Sequence, residues 1–138
     1  MDTPQKKIHI LIIDDDETMR RLYGSLLGKA GYEVIYAPDA FQGRELARRF
    51  QPDLILMDWN MPGQDGIKAS GILRNEPETS HIPIVLLTNA DLSIEAEKWM
   101  KEFSLTDYIQ KGVSNDEFIE KIKNILDKVE NKPPQKTK

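Results

Sequence analysis

The feature that most constrains this chain is an uninterrupted apolar run, Leu54 to Met57, which ends on a carboxylate, Asp58. Residues typical of turns stand on both sides of the run: Pro52, Asp53, Pro62 and Gly63. A short apolar run between turns is typical of a strand buried on both faces of a parallel sheet. Ligands of such sheets bind at the carboxyl ends of the strands. Asp58 therefore stands where chemistry is expected, although an Asp after a strand can also be a simple turn former.

Short apolar runs like this one alternate with amphipathic segments throughout the chain. Strands are predicted over 8–13, 33–37, 54–57, 84–87 and 106–110, and helices over 18–31, 39–50, 66–75, 93–103 and 115–129. This alternation favours an α/β fold with one doubly wound, parallel, five-stranded sheet and helices on both faces. The residues predicted to face the core are Met19, Leu22, Leu26, Leu27 and Ala30; Gly43, Leu46, Ala47 and Phe50; Ala96, Trp99, Met100 and Phe103; and Phe118, Ile119, Ile122, Ile125, Leu126 and Val129.

Length and charge narrow the class of protein. A chain of 138 residues predicts one domain, here 8–130, with an extension over 1–7 and a polar, basic, disordered tail over 131–138. The net charge of -4 argues against direct nucleic-acid binding, and the absence of cysteine excludes disulfides. No apolar run approaches the roughly 20 residues of a membrane helix, and the N-terminus does not look like a signal peptide. We therefore expect a cytoplasmic protein without membrane contact.

Polar side chains stand at the ends of four of the five predicted strands. They are Asp14 and Asp15 after the first strand, Asp58 after the third, Thr88 after the fourth and Lys111 after the fifth. In a doubly wound sheet with the first strand near the middle, these four strand ends converge on one edge. The sequence therefore predicts a single pocket that collects three carboxylates, a hydroxyl and an ammonium group.

That set of groups indicates phosphoryl transfer. Three carboxylates this close do not all ionise comfortably, and a hard dication relieves their repulsion. Mg²⁺ binds through one or two carboxylates and completes its shell with water and phosphate oxygens. A carboxylate nucleophile beside Mg²⁺, a lysine and a hydroxyl is a site at which a phosphoryl group can be accepted.

Four motifs in this order resemble the receiver domain of two-component response regulators. They are Ile12 to Asp16, Met57 to Gly63, Leu86 to Thr88 and Tyr108 to Lys111. The resemblance covers about residues 7 to 128. It implies a flavodoxin-like fold, and a phosphoryl group received from a histidine kinase or a histidine phosphotransfer protein. It also implies a signalling phosphoacceptor and not a turnover enzyme.

The resemblance assigns roles at the acidic end of the pocket. It implies that Asp58 is the phosphoacceptor and that Asp14 and Asp15 form the acidic pair that holds Mg²⁺ together with Asp58. The Asp15 carboxylate would bind the metal directly and Asp14 mostly through water. The backbone carbonyl of Asn60 would be the remaining protein ligand.

The resemblance also implies a switch. Lys111 would pair with a phosphoryl oxygen, and Thr88 would move to hydrogen-bond the phosphoryl group. The ring of Tyr108 would turn inward as Thr88 moves. The face formed by the fourth helix, fifth strand and fifth helix would then change shape and control a target or effector protein, and the same face could form a homodimer.

The sequence departs from the family pattern at two positions. Gly112 follows Lys111 where the family usually has proline, so a trans peptide bond and a looser loop are expected. Asn89 follows Thr88 where the family usually has a small residue. Together with Trp59 and Ala90, Asn89 is expected to modulate access to the site and the rates of phosphorylation and dephosphorylation.

Two other functions stay open at this point. Asp14, Asp16 and Thr18 match the D-x-D-x-T motif of haloacid dehalogenase-type phosphatases, in which Asp14 would be the nucleophile. That interpretation leaves residues 57–62 unexplained and lacks a later acidic pair for the metal. The second alternative is a degenerate receiver that binds a partner without using phosphate. The chain could be a single-domain regulator or part of a longer protein.

Overall fold

The strands form one parallel sheet. The structure, a computed structural model, describes residues 7–59, 66–89, 98, 101–102 and 105–130. The strands are β1 (His9–Ile13), β2 (Glu33–Ala37), β3 (Leu54–Asp58), β4 (Ile84–Thr88) and β5 (Asp107–Gln110). Their order across the sheet is β2-β1-β3-β4-β5, and every pairing is parallel. The predicted doubly wound α/β fold is confirmed, and each strand lies within one residue of its predicted bounds.

Four helices have both ends within the described residues and connect or follow these strands. They are α1 (Glu17–Lys29), α2 (Ala40–Phe50), α3 (Gly66–Asn75) and α4 (Asn115–Glu130). Within the helix predicted over 93–103, the described residues Lys98, Lys101 and Glu102 are helical, and the rest lies outside the described residues, as do 1–6 and 131–138. Across the described residues, no helix is both long enough and apolar enough to cross a membrane.

Side-chain caps fix where the helices begin. Asp16 Oδ1 accepts the N–H of Thr18 at 2.9 Å, so α1 starts one residue earlier than predicted. Asp39 caps α2 as predicted, by accepting the N–H of Gln42 at 2.7 Å. Of the two predicted caps of α4, Ser114 makes the bond, since its hydroxyl oxygen accepts the N–H of Glu117 at 3.1 Å.

The core has two halves, one on each face of the sheet. Residues of β1 and β3 alternate between them, because successive side chains of a strand point to opposite faces. One half packs α2 and α3 and contains Leu11, Ile13, Ile55, Met57, Ala47 and Leu73. The other half packs α1 and α4 and contains Ile10, Ile12, Leu54, Leu56, Leu27 and Phe118. The central strands are therefore covered on both faces, and polar groups can reach water only at the strand ends.

Among the described residues, four that were predicted to face the core are exposed. Leu22 is 43% exposed because Tyr23, one position further along α1, takes the inward direction shared with Leu27. Phe50 and Val129 are 53% and 37% exposed, and Ala30 is also exposed. These three stand in the last turn or at the cap of their helices, where the packing face ends.

Candidate functional site

The site lies at the carboxyl ends of β3, the central strand of the sheet, and of its neighbour β1. One carboxylate oxygen from each of Asp14, Asp15 and Asp58 lies within 4.8 Å of the others. Asp14 and Asp58 are buried and Asp15 is exposed. The chain leaves β1 toward β2 on one side, while β3 pairs with β1 on the other, so the cluster occupies the topological switch point of the sheet. The predicted convergence of the carboxylates is confirmed.

Lys111 enters the cluster from the end of β5. Its Nζ donates a hydrogen bond to Asp58 Oδ1 at 2.9 Å and lies 3.7 Å from Asp14 Oδ2. Its backbone N–H donates to the carbonyl of Thr88 at 2.6 Å, which fixes the loop after β5 to the end of β4. The ammonium group thus bridges the two buried carboxylates. Burial by itself would lower the pKa of Lys111, but the hydrogen bond to Asp58 and the charge of Asp14 outweigh it, so the pKa is raised.

Asp14 is held at both its backbone and its side chain. Its N–H donates to the carbonyl of Ala37 at 3.1 Å, and its own carbonyl accepts Nη1 of Arg20 at 2.7 Å. Its Oδ1 accepts the N–H of Asp16 at 2.9 Å. The second oxygen, Oδ2, is buried and has no hydrogen-bond partner among the described residues. Asp14 therefore keeps one carboxylate oxygen available for a ligand.

Burial disfavours the charged form of Asp14. The pKa of this carboxyl is raised from 3.8 to about 6, mainly by desolvation, and the charges of Asp58 and Asp15 act in the same direction. The hydrogen bond from Asp16 and the charge of Lys111 act in the opposite direction but do not cancel the increase. A carboxylate held this way gains most from a cation that approaches its free oxygen.

The donor set fits Mg²⁺. Three carboxylates within 4.8 Å supply hard oxygen ligands, which this ion prefers. The Oδ2 of Asp14 is a buried acceptor that receives no hydrogen bond from the described residues, although the Lys111 ammonium lies 3.7 Å away. The exposure of Asp15 gives an ion and its water molecules a way in from solvent. Asn60, the other predicted ligand, lies outside the described residues.

The structure brings some of the other predicted site residues to the same edge. Thr88 is the last residue of β4 and is buried, one strand away from Asp58. Trp59 is half-buried, and its N–H donates to the carbonyl of Leu87 at 2.8 Å. Asn89 is exposed directly after Thr88. Ala90 lies outside the described residues.

Tyr108 lies in β5, opposite Leu86 of β4. It is half-buried and packs against the core half that contains α2 and α3. Its backbone N–H donates to Oδ1 of its neighbour, Asp107, at 2.8 Å. A half-buried aromatic ring at this position is compatible with the predicted switch, which stays a prediction.

Gly112 has a conformation that proline does not adopt. Its φ is +98°, whereas the proline ring fixes φ near −65°. There is no cis peptide bond within the described residues, so the expected trans bond is confirmed. A Cβ at this position would meet open space, so backbone conformation and not crowding selects glycine here.

Sequence reasoning missed Tyr23, which lies beside the site. The side chain is 7% exposed, and its ring packs on Phe118 with centroids 4.8 Å apart. Burial raises the pKa of the Tyr23 hydroxyl, and the charges of Lys111 and Asp14 also act on it. Tyr23 and Lys111 line one groove between α1 and the segment that leads into α4. The spacing of Tyr23, four residues before Leu27, was the signal that could have identified it.

Comparison with known proteins decides the family. The profile of the response regulator receiver domain matches residues 10–123. The chain belongs to the response regulator receiver family. This receiver domain is 35% identical over 117 residues to protein PilH of Pseudomonas aeruginosa. The match covers 85% of this chain and 96% of PilH. It is also 32% identical over 117 residues to the polar-differentiation response regulator DivK of Brucella anthropi. That match covers 85% of this chain and 94% of DivK.

Solved structures agree with this assignment. The receiver domain superposes on the chemotaxis protein CheY4 of Vibrio cholerae with a TM-score of 0.81 at 25% identity, over 87% of this chain and 99% of CheY4. A CheY-like receiver domain protein of Methanospirillum hungatei gives a TM-score of 0.81 at 26% identity, over 91% of this chain and 98% of that one. The predicted flavodoxin-like fold is confirmed.

The family assignment favours a signalling protein over the phosphatase alternative. The D-x-D-x-T pattern also has a structural explanation here. Asp16 uses its Oδ1 to accept the N–H groups of Thr18 and Met19 and so caps α1. The middle residue of the pattern is therefore engaged as a helix cap.

Proposed function

We propose that Asp58 of this receiver domain accepts a phosphoryl group from a histidine kinase or a histidine phosphotransfer protein. The observation that carries the proposal is the arrangement around Asp58, in which Lys111 Nζ lies 2.9 Å from one carboxylate oxygen and two further carboxylates lie within 4.8 Å. A nucleophile needs a neighbour that stabilises the charge of the incoming phosphoryl group. The similarity to DivK, a polar-differentiation response regulator, supports the same function.

In the proposed reaction, a carboxylate oxygen of Asp58 attacks the phosphorus atom of a phosphohistidine. The P–N bond breaks, its electron pair stays on the imidazole, and an acyl phosphate forms on Asp58. Lys111 transfers its hydrogen bond from the carboxylate to a phosphoryl oxygen, since its raised pKa keeps the ammonium charged. Asp14, Asp15 and Asp58 would hold Mg²⁺, with the carbonyl of Asn60. When bound, Mg²⁺ would neutralise charge on the phosphoryl oxygens.

Phosphorylation would be transmitted through Thr88 and Tyr108. The modification adds charge and acceptor oxygens at the end of β3, one strand away from the buried Thr88. Movement of Thr88 toward the phosphoryl group would free space that the half-buried ring of Tyr108 can take. The face formed by the 93–103 segment, β5 and α4 would then bind a target protein or a second copy of the chain.

Three residues near the site are proposed to set the rates. Asn89 is exposed beside Thr88, and Trp59 is half-buried beside Asp58, so both can limit access of a phosphodonor or of water. Ala90 is proposed for the same role from its position in the sequence. We expect Asn89→Ala to change the rate of phosphorylation or dephosphorylation by several-fold, and rates equal to those of the wild type would contradict this role.

Intact mass after incubation with acetyl phosphate and Mg²⁺ tests the proposal. The wild type should gain one phosphoryl group, and Asp58→Asn should gain none. Asp127→Asn is the matched control, since Asp127 is exposed on α4, and it should be phosphorylated like the wild type. An adduct that persists in Asp58→Asn but disappears in Asp14→Asn, with continuing phosphatase turnover, would establish the enzyme alternative. No adduct on the wild type would favour a phosphate-independent binding module.

The same proposal sets the limits of the functional unit. Residues 8–130 would form the receiver unit, with 1–7 and 131–138 outside it. We propose that the domain acts in the cytoplasm through protein partners, without direct contact to nucleic acid or membrane. Its chemistry would be limited to its own phosphorylation and dephosphorylation.

A further inference from the structure

Arg20 contacts the acidic turn from the first turn of α1. Its Nη1 donates a hydrogen bond to the backbone carbonyl of Asp14 at 2.7 Å. Its own N–H donates to the carbonyl of Asp16 at 3.0 Å, so the residue is anchored in the helix that follows the turn. The side chain is half-buried. A bond from a charged donor is stronger than a bond between neutral groups, so this contact restrains the turn.

The carbonyl that Arg20 binds belongs to the peptide unit between Asp14 and Asp15. A peptide unit is planar, so fixing its oxygen fixes the direction in which the chain enters Asp15. Asp15 is exposed, and none of the contacts described for the cluster holds its carboxylate in place. Its place within 4.8 Å of Asp14 and Asp58 therefore depends on the backbone of the turn.

The other two bonds to Asp14 do not act on that peptide unit. The N–H of Asp14 binds Ala37 on the preceding side, and Asp14 Oδ1 binds the N–H of Asp16 on the following side. Among the described contacts, the hydrogen bond from Arg20 is therefore the one that acts on the peptide unit between Asp14 and Asp15.

We propose that Arg20 is a positioning residue for the metal site, which holds the Asp14–Asp15 peptide so that the Asp15 carboxylate faces Asp14 and Asp58. This role rests on the proposed function, because it concerns the affinity of the same three carboxylates for Mg²⁺. It adds to that function a residue that contacts neither the metal nor the phosphoryl group.

Electrostatics alone would give the opposite result. A guanidinium near a cation site repels the cation, so removing it should tighten Mg²⁺ binding. Loss of a positioning contact should instead weaken Mg²⁺ binding by roughly tenfold, which is the lower end of the losses in metal affinity seen when a partner of a metal ligand is mutated. The sign of the change therefore distinguishes the two effects.

Arg21 provides a matched control. It is the next residue of α1, carries the same charge and pairs with Glu17 at 2.8 Å on the exposed side of the helix. Arg20→Met and Arg21→Met change the net charge equally and keep the aliphatic part of the side chain. Arg20→Gln and Arg21→Gln form a second matched pair, which preserves the comparison if one methionine variant does not fold.

The experiment is an MgCl₂ titration of the ¹⁵N-labelled protein, followed by the amide resonances of Asp15 and Asp16. We expect Arg20→Met to raise the Kd for Mg²⁺ by roughly tenfold and Arg21→Met to leave it within about twofold of the wild type. Arg20→Lys, which keeps a charged donor, should recover part of the loss.

Two results would overturn the proposal, and they differ. If Arg20→Met binds Mg²⁺ as tightly as Arg21→Met, or more tightly, Arg20 does not position the turn, while the metal site stands. If the wild type shows no Mg²⁺-dependent shifts, the metal site itself is wrong, and the role of Arg20 fails with it.

Discussion

Two buried polar regions of this receiver domain differ in how their groups are satisfied. In the turn between α3 and β4, the buried Thr79 donates its hydroxyl to the carbonyl of Leu73 at 2.6 Å, and Arg74 donates to the carbonyls of Ser80 and Ile82. In the acidic site, the buried Oδ2 of Asp14 has no hydrogen bond within the described part of the chain. Polar groups are buried in both regions, but the acidic site leaves one buried carboxylate oxygen without a hydrogen bond among the described residues.

The difference separates a structural region from a functional one. A buried group whose bonds are complete stabilises the folded state modestly, and its loss leaves a partner unsatisfied. A buried carboxylate with a free oxygen and a raised pKa destabilises the folded state until a ligand arrives. Removing the charge of Asp14 and removing the hydroxyl of Thr79 should therefore change the free energy of unfolding with opposite signs.

The largest effect on stability is expected from Lys111→Met. The substitution leaves the buried Asp14 and Asp58 facing one another without a counter-charge, and we expect a loss of about 3 kcal/mol of unfolding free energy at pH 7.5 in EDTA. The loss should shrink as the pH falls through about 6, where Asp14 takes up a proton. Urea unfolding at several pH values measures it. Lys121→Met, at an exposed position of α4, is the control, and an equal loss there would contradict the explanation.

The opposite sign is expected from Asp14→Asn. The pKa of Asp14 is about 6 in the folded protein and 3.8 in the unfolded chain, so folding takes up protons between these values and stability falls as pH rises through this window. Removing the charge should raise the unfolding free energy by about 2 kcal/mol at pH 7.5 without Mg²⁺. The gain should vanish near pH 4. A variant less stable than the wild type at pH 7.5 would show that Asp14 is not a destabilising charge.

Thr79→Val tests the satisfied region. The valine has nearly the same shape but cannot donate to the carbonyl of Leu73, and we expect a loss of about 1.5 kcal/mol. Phosphorylation by acetyl phosphate should be unchanged, because the turn is not part of the site. Thr106→Val, at an exposed position, should change stability little. Equal losses of stability in the two variants would contradict the explanation that the buried hydrogen bond of Thr79 stabilises the fold.

The smallest effect is expected from Gly112→Ala. Alanine at a φ of +98° is strained, so we expect a loss of about 1 kcal/mol. Gly28 of α1 gives the matched contrast: a Cβ there would also meet open space, but Gly28→Ala should stabilise the helix by about 0.5 kcal/mol. Thermal unfolding of both variants checks the pair, and a stabilising Gly112→Ala would refute the role of backbone conformation.

Local patterns predicted much of the fold. The strand at 54–57 was predicted from its unbroken apolar run, and burial on both faces is what such a run requires. Asp39 was predicted as a cap because capping depends on neighbours within a few residues. Leu22 was assigned to the core wrongly, since the choice between Leu22 and Tyr23 depends on how α1 is rotated against the sheet.

By itself, the sequence determined the alternation of strands and helices, the polar residues at the strand ends and, through its motifs, the family. These follow from periodicity and from residue types at fixed positions. Only the tertiary structure decided the contact of Lys111 with Asp58, the free oxygen of Asp14 and the hydrogen bond from Arg20 to the acidic turn. These join groups from different elements, and their distances depend on how the elements pack.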